Sequence, residues 1–136
     1  MKKLLLLLCV PMIGFGQNWN QLGQDIDGEA FDDHSGYALS ISSDGSIVAI
    51  RAYANDDAGT DAGHVRIYEN TNGVWSQLGN DIDGESADDN SGESVSMNGD
   101  GTIVAIGATG DDGGNNPGMF QQIGHVRVYQ YNGRRT

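Results

Sequence analysis

The residues best suited to chemistry are acidic and come in two matched segments, Asp25-Ile26-Asp27-Gly28-Glu29 and Asp81-Ile82-Asp83-Gly84-Glu85. Each sets three carboxylates around a glycine, and Ca2+ takes several hard oxygen donors on a loop that can turn tightly. Asp25, Asp27, Glu29, Asp81, Asp83 and Glu85 are therefore the candidate metal ligands, with calcium as the candidate ion. Their spacing departs from the EF-hand loop, which needs Asp-x-[Asp/Asn]-x-[Asp/Asn]-Gly. The competing reading, which the spacing favours, is a solvated connection whose isoleucine packs inward and whose aspartates cap turns. Asn55-Asp56-Asp57 and Asp111-Asp112-Gly113-Gly114-Asn115-Asn116 are weaker candidates of ordinary loop composition.

Nucleophilic chemistry finds little support. Asp33-His34-Ser35 holds the residue types of a hydrolase triad, but triad members converge from separate segments, and three neighbours on one turn cannot. The matching segment is Asp89-Asn90-Ser91, so the histidine is not part of the repeated plan. Gly-x-Ser-x-Gly, His-Glu-x-x-His and the phosphate-binding loop with its lysine are all absent from the chain. The expectation is a noncatalytic protein. His64-Val65-Arg66 recurs as His125-Val126-Arg127; these side chains either line a ligand groove or, the commoner case, are half-exposed strand positions reaching solvent or a turn carboxylate. Trp19 and Trp75, with Tyr68 and Tyr129, suit either stacking on sugar faces or packing between strands.

The elements that position these residues are repeated. Trp19 to Glu29 returns as Trp75 to Glu85 at an offset of 56, and 21 of the 36 pairs aligned between 19–54 and 75–110 are identical. Gly63-His64-Val65-Arg66-Ile67-Tyr68 returns as Gly124-His125-Val126-Arg127-Val128-Tyr129 at an offset of 61, with the extra residues in a Gly/Asn-rich loop before Ile123. Each unit reads as four short strands. Leu39 and Ile41 lie a strand period apart, Asp44-Gly45 and Asn72-Gly73 are tight-turn signatures, and Ile47 to Ile50 suits a strand covered on both faces. Helical periodicity is absent and 21 glycines suit many turns, so the fold class is all-β. Four-stranded units stacked on copies of themselves suggest two consecutive antiparallel propeller blades, a partial β-propeller. Unit 1 spans about 35–79 and unit 2 about 91–136; residues 18–23 form an N-terminal strand equivalent to the fourth strand of a unit.

Residues 1–16 read as a cleaved signal peptide: Lys2 and Lys3, an apolar run from Leu4 to Ile13, and small residues at Gly14 and Gly16 before Gln17. The run is too short to span a bilayer, and Cys9 leaves with it. The whole chain carries a net charge of −12; loss of its two lysines with the signal leaves −14. Such a surface repels nucleic acid and anionic lipid, favours solubility and gathers divalent cations. With no cysteine after Cys9, the fold rests on packing, ions or partner chains rather than disulfides.

Ser35-Gly36-Tyr37-Ala38-Leu39-Ser40, Asp44-Gly45-Ser46-Ile47-Val48-Ala49-Ile50 and Gly63-His64-Val65-Arg66-Ile67-Tyr68 together resemble the FG-GAP repeat of integrin-like β-propellers, in the form found in secreted bacterial surface proteins. Gly107-Ala108-Thr109 stands where that family has Gly-Ala-Pro; unit 1 departs with Arg51-Ala52-Tyr53, which puts a standard turn there in doubt. The resemblance implies a secreted or cell-surface location and extracellular binding or adhesion to a protein or glycan, with calcium in blade loops. Closed propellers take about 4 to 8 blades. Two units therefore imply either a truncated fragment of a larger propeller without autonomous activity, or a lectin-like two-blade protomer that oligomerises into a ring.

Overall fold

The structure, a computed structural model, describes residues 18–110 and 123–133. The signal segment, Cys9 and the acidic loop 111–116 lie outside the described residues.

Eight strands and no helix make up the described chain: β1 (Ser35–Ile41), β2 (Ile47–Ala52), β3 (His64–Thr71), β4 (Val74–Gln77), β5 (Ile82–Asp83), β6 (Ser91–Met97), β7 (Ile103–Ala108) and β8 (His125–Gln130). They form two antiparallel sheets. The first runs β1-β2-β3-β4 with β5 also paired to β3, and the second runs β6-β7-β8. The all-β class and the two successive units follow the sequence. The described residues do not close into a ring.

Turn chemistry sets the hairpins. Between β1 and β2, the Asp44 carboxylate accepts from the Ser42 hydroxyl, the Ser46 amide and the Ser46 hydroxyl, at 2.7, 3.0 and 2.8 Å. The Ser42 hydroxyl oxygen in turn accepts from the Ile47 amide. Unit 2 keeps the plan with other residues: Asp100 accepts from the Thr102 amide, and the Asn98 side-chain oxygen takes the place of the Ser42 hydroxyl at Ile103. Asn72 and Gly73 both have positive φ, 54° and 85°, the two-residue hairpin geometry whose twist matches that of the flanking strands.

The register assigns the faces. Leu39, Ile41, Val48, Ile50, Arg66 and Tyr68 share one face of the first sheet; Ile47, Ala49, Arg51, Val65 and Ile67 share the other. In the second sheet the equivalent first face carries Val95, Met97, Val104, Ile106, Arg127 and Tyr129. The core lies where the second face of unit 1 meets the first face of unit 2: Ala49, Val65, Val104 and Ile106, with Ile67, Ile82, Val95, Met97 and Tyr129 packed around them. The sheets are thus stacked as successive copies in one direction.

Two elements differ from the sequence expectation. Residues 18–23 form no strand. Their counterpart β4 pairs with β3, whereas this segment lies against β4, where Gln24 bonds both main-chain groups of Trp75 and the Trp75 indole donates to the Leu22 carbonyl. The second difference is β5. After β4 the chain bends at Gly79, with φ +84°, and returns to β3, pairing Ile82 with Val65 and Asp83 with His64.

Candidate functional site

The repeated acidic segments lie beside the repeated His-x-Arg strands. Arg66 Nη2 donates to the Asp27 carbonyl at 2.9 Å, and Nη1 lies 3.4 Å from Glu29 Oε1. In unit 2, Arg127 Nη2 donates to the Asp83 carbonyl at 2.6 Å, and Nη1 lies 3.5 Å from Glu85 Oε1. Each guanidinium also sits over the next tyrosine of its strand, Arg66 at 5.5 Å from the Tyr68 ring centre and Arg127 at 5.6 Å from that of Tyr129. An acidic segment, an arginine and a tyrosine therefore form one device, used twice. Burial raises the Tyr68 hydroxyl above its ordinary range, partly offset by the Arg66 charge.

Buried aspartates anchor the connections that follow. Asp89 accepts from the Glu85 and Ser86 amides at 2.9 and 2.8 Å, and Asp33 accepts from the Ala30 amide at 3.0 Å. The flanking residues take left-handed backbone in both units, Asp32 and His34 in one, Asp88 and Asn90 in the other. The His34 ring bonds the Asp32 carbonyl as the Asn90 amide bonds that of Asp88. Short polar residues tolerate this conformation through such local bonds. His34 is thus a turn residue interchangeable with asparagine.

The six candidate metal ligands are scattered. Asp25 is exposed and accepts from the Gln21 side chain, and Asp27 and Asp83 lie at the surface with their carbonyls given to arginines. Glu85 pairs with Arg127. Of the six, Glu29 and Asp81 belong to one cluster among the described residues, together with Asp57 and His64, all four donor atoms lying within 4.8 Å of one another. His64 was expected to be half-exposed; β5 and the acidic segment cover it completely. Sequence reading missed its convergence with Asp57 because the four residues come from four separate segments.

Arg51 forms a second polar centre, in the seam between units. Its guanidinium is buried, 3.1 Å from Glu93 Oε2 and 3.3 Å from the Asn90 carbonyl, and it lies over the rings of Tyr37 and Tyr53. Burial lowers its pKa from the ordinary arginine value, and Glu93 opposes that shift. The departure from Gly-Ala-Pro thus lies within β2 and bridges to unit 2.

Comparison with protein-family models, with curated proteins and with solved structures finds no match to this chain. No helix among the described residues is long and apolar enough to cross a membrane.

Proposed function

We propose that the chain is a noncatalytic repeat module for extracellular recognition, built to continue by stacking further units of its own kind. A single observation carries the stacking. Positions that are buried in unit 1 recur open in unit 2: Val65 is 0% exposed against 67% for Val126, and Ile47 is 0% against 39% for Ile103. The opposite end is open along β1, where Leu39 and Ile41 are exposed although their counterparts Val95 and Met97 pack on the core, while Val48, Arg66 and Tyr68 of the same face are buried. The end face of unit 2 therefore has the composition of the face that already receives a unit, and the start face of unit 1 has the composition of one that is received.

Burying an exposed valine or isoleucine contributes about 1.5–3 kcal/mol, so two such faces favour association. Contact between unlike faces is head-to-tail and closes a ring if the rotation per unit permits. The FG-GAP resemblance supports a propeller as that ring, a secreted or cell-surface setting, and a protein or glycan ligand. Light scattering on the secreted chain tests the reading. A discrete oligomer is expected, three chains giving six units being one such ring, and Val128→Asp is expected to reduce it to monomer. A folded, monodisperse wild-type monomer would overturn stacking between copies.

A further inference from the structure

We propose that Glu29, Asp57, His64 and Asp81 form a binding site for a divalent transition-metal ion of the zinc type, distinct from the calcium expected of the acidic segments. Two independent observations support it. The first is convergence: three carboxylates and one imidazole, from the acidic segment, the β2–β3 loop, β3 and the bend before β5, bring one donor atom each within 4.8 Å of the others. The second is the imidazole itself. His64 is 0% exposed, yet neither ring nitrogen has a hydrogen-bond partner. Glu29 Oε2 lies 3.8 Å from Nδ1, too far for a hydrogen bond. A buried polar group is ordinarily bonded, and one left without a partner costs about 1–3 kcal/mol. A metal ion at the convergence supplies a partner for one of the two nitrogens.

The donor set selects the ion. Calcium takes oxygen ligands, six to eight of them in typical sites, whereas neutral imidazole with carboxylates is a zinc set of four. Charge also fits. Three carboxylates with the Arg66 guanidinium, which holds the other oxygen of Glu29, leave two net negative charges for a divalent cation. Bonds of about 2.0–2.2 Å place tetrahedral donors roughly 3.4 Å apart. The remaining closure falls to the exposed side chains, Asp57 and the Glu29 oxygen that Arg66 does not hold.

The test uses the secreted chain, Zn2+ as its chloride, and histidine-selective 1H–15N NMR with thermal melting. The chain has three histidines. Micromolar Zn2+ is expected to move the His64 ring signals and raise the melting temperature, while Ca2+ at the same concentration does neither. Asp57→Asn is expected to weaken zinc binding at least tenfold with the metal-free melting temperature unchanged, since Asp57 is exposed, and Asp25→Asn is expected to leave binding intact. His64→Gln is expected to abolish the zinc-dependent stabilisation. Zinc that leaves the His64 signals in place, or binds equally to the Asp57→Asn variant, would overturn the proposal, because the ion would then be held diffusely by the acidic surface.

Discussion

The Asp44 carboxylate carries three hydrogen bonds in one turn, and they hold its pKa down to about 2, led by the bond from the Ser42 hydroxyl and followed by the Ser46 amide and hydroxyl. A carboxyl group depressed in the folded state contributes stability above its unfolded value, and that contribution is lost as pH falls through the folded value. The Asp44 contribution is therefore expected to be complete above the ordinary carboxylate range and to fade between about pH 4 and 2. An NMR titration should place the Asp44 midpoint near 2, and Asp44→Asn should remove this part of the acid dependence; an ordinary midpoint would contradict the turn geometry. Asp89 is buried. Asp89→Ala strands the amides of Glu85 and Ser86, at a cost of about 1–3 kcal/mol, measurable by denaturant unfolding.

At the scale of elements, equivalent glycines no longer do equivalent work. Gly36 and Gly92 both have φ of +91°, so any side chain is strained at either. A Cβ at Gly36 meets nothing within 4 Å, whereas one at Gly92 would sit 2.7 Å from Arg51 Cγ and 3.0 Å from Val65 Cγ2. Gly36→Ala is expected to cost the backbone term of about 1–2 kcal/mol, and Gly92→Ala a further 1–3 kcal/mol or so for overpacking the seam; equal losses in thermal melts would contradict the stacking. The strand plan was legible because its signals are local: Asp44-Gly45 and Asn72-Gly73 turn the chain, and Ile47 to Ile50 marks a covered strand. The pairing of β5 was not legible, since two residues give no periodicity, and Ile82 reaches Val65 only through the bend at Gly79. Residues 18–23 share their sequence with β4, but local sequence does not show which strand edge is vacant. In the candidate site, Glu29 and Asp81 stand out as acids in repeated segments. His64 and Asp57 join them through the β3 register and the loop before it, and neither is readable from spacing.

On the scale of the molecule, the proposed stacking sets apolar end faces, which would draw copies together, against a net charge of −12 over the whole chain, which would keep them apart. Salt screens the second effect, the Debye length falling from about 10 Å at 0.1 M to about 3 Å at 1 M, and leaves the first in place. Native mass is therefore expected to rise with ionic strength, and association weakened by salt would mean that ion pairs rather than apolar faces hold the copies. Direction is also written into the molecule. Arg51 needs the bare backbone of Gly92 beneath its stem and the carboxylate of Glu93 at its tip, whereas its counterpart Gly107 has the Ser94 hydroxyl 2.6 Å from where a Cβ would stand. If the halves descend from one duplicated ancestor, they have since become lock and key. A shuffled gene carrying unit 2 before unit 1 would retain every strand and lose the Arg51 latch, so a seam between copies rests on apolar contact alone while the seam within a chain is bolted as well.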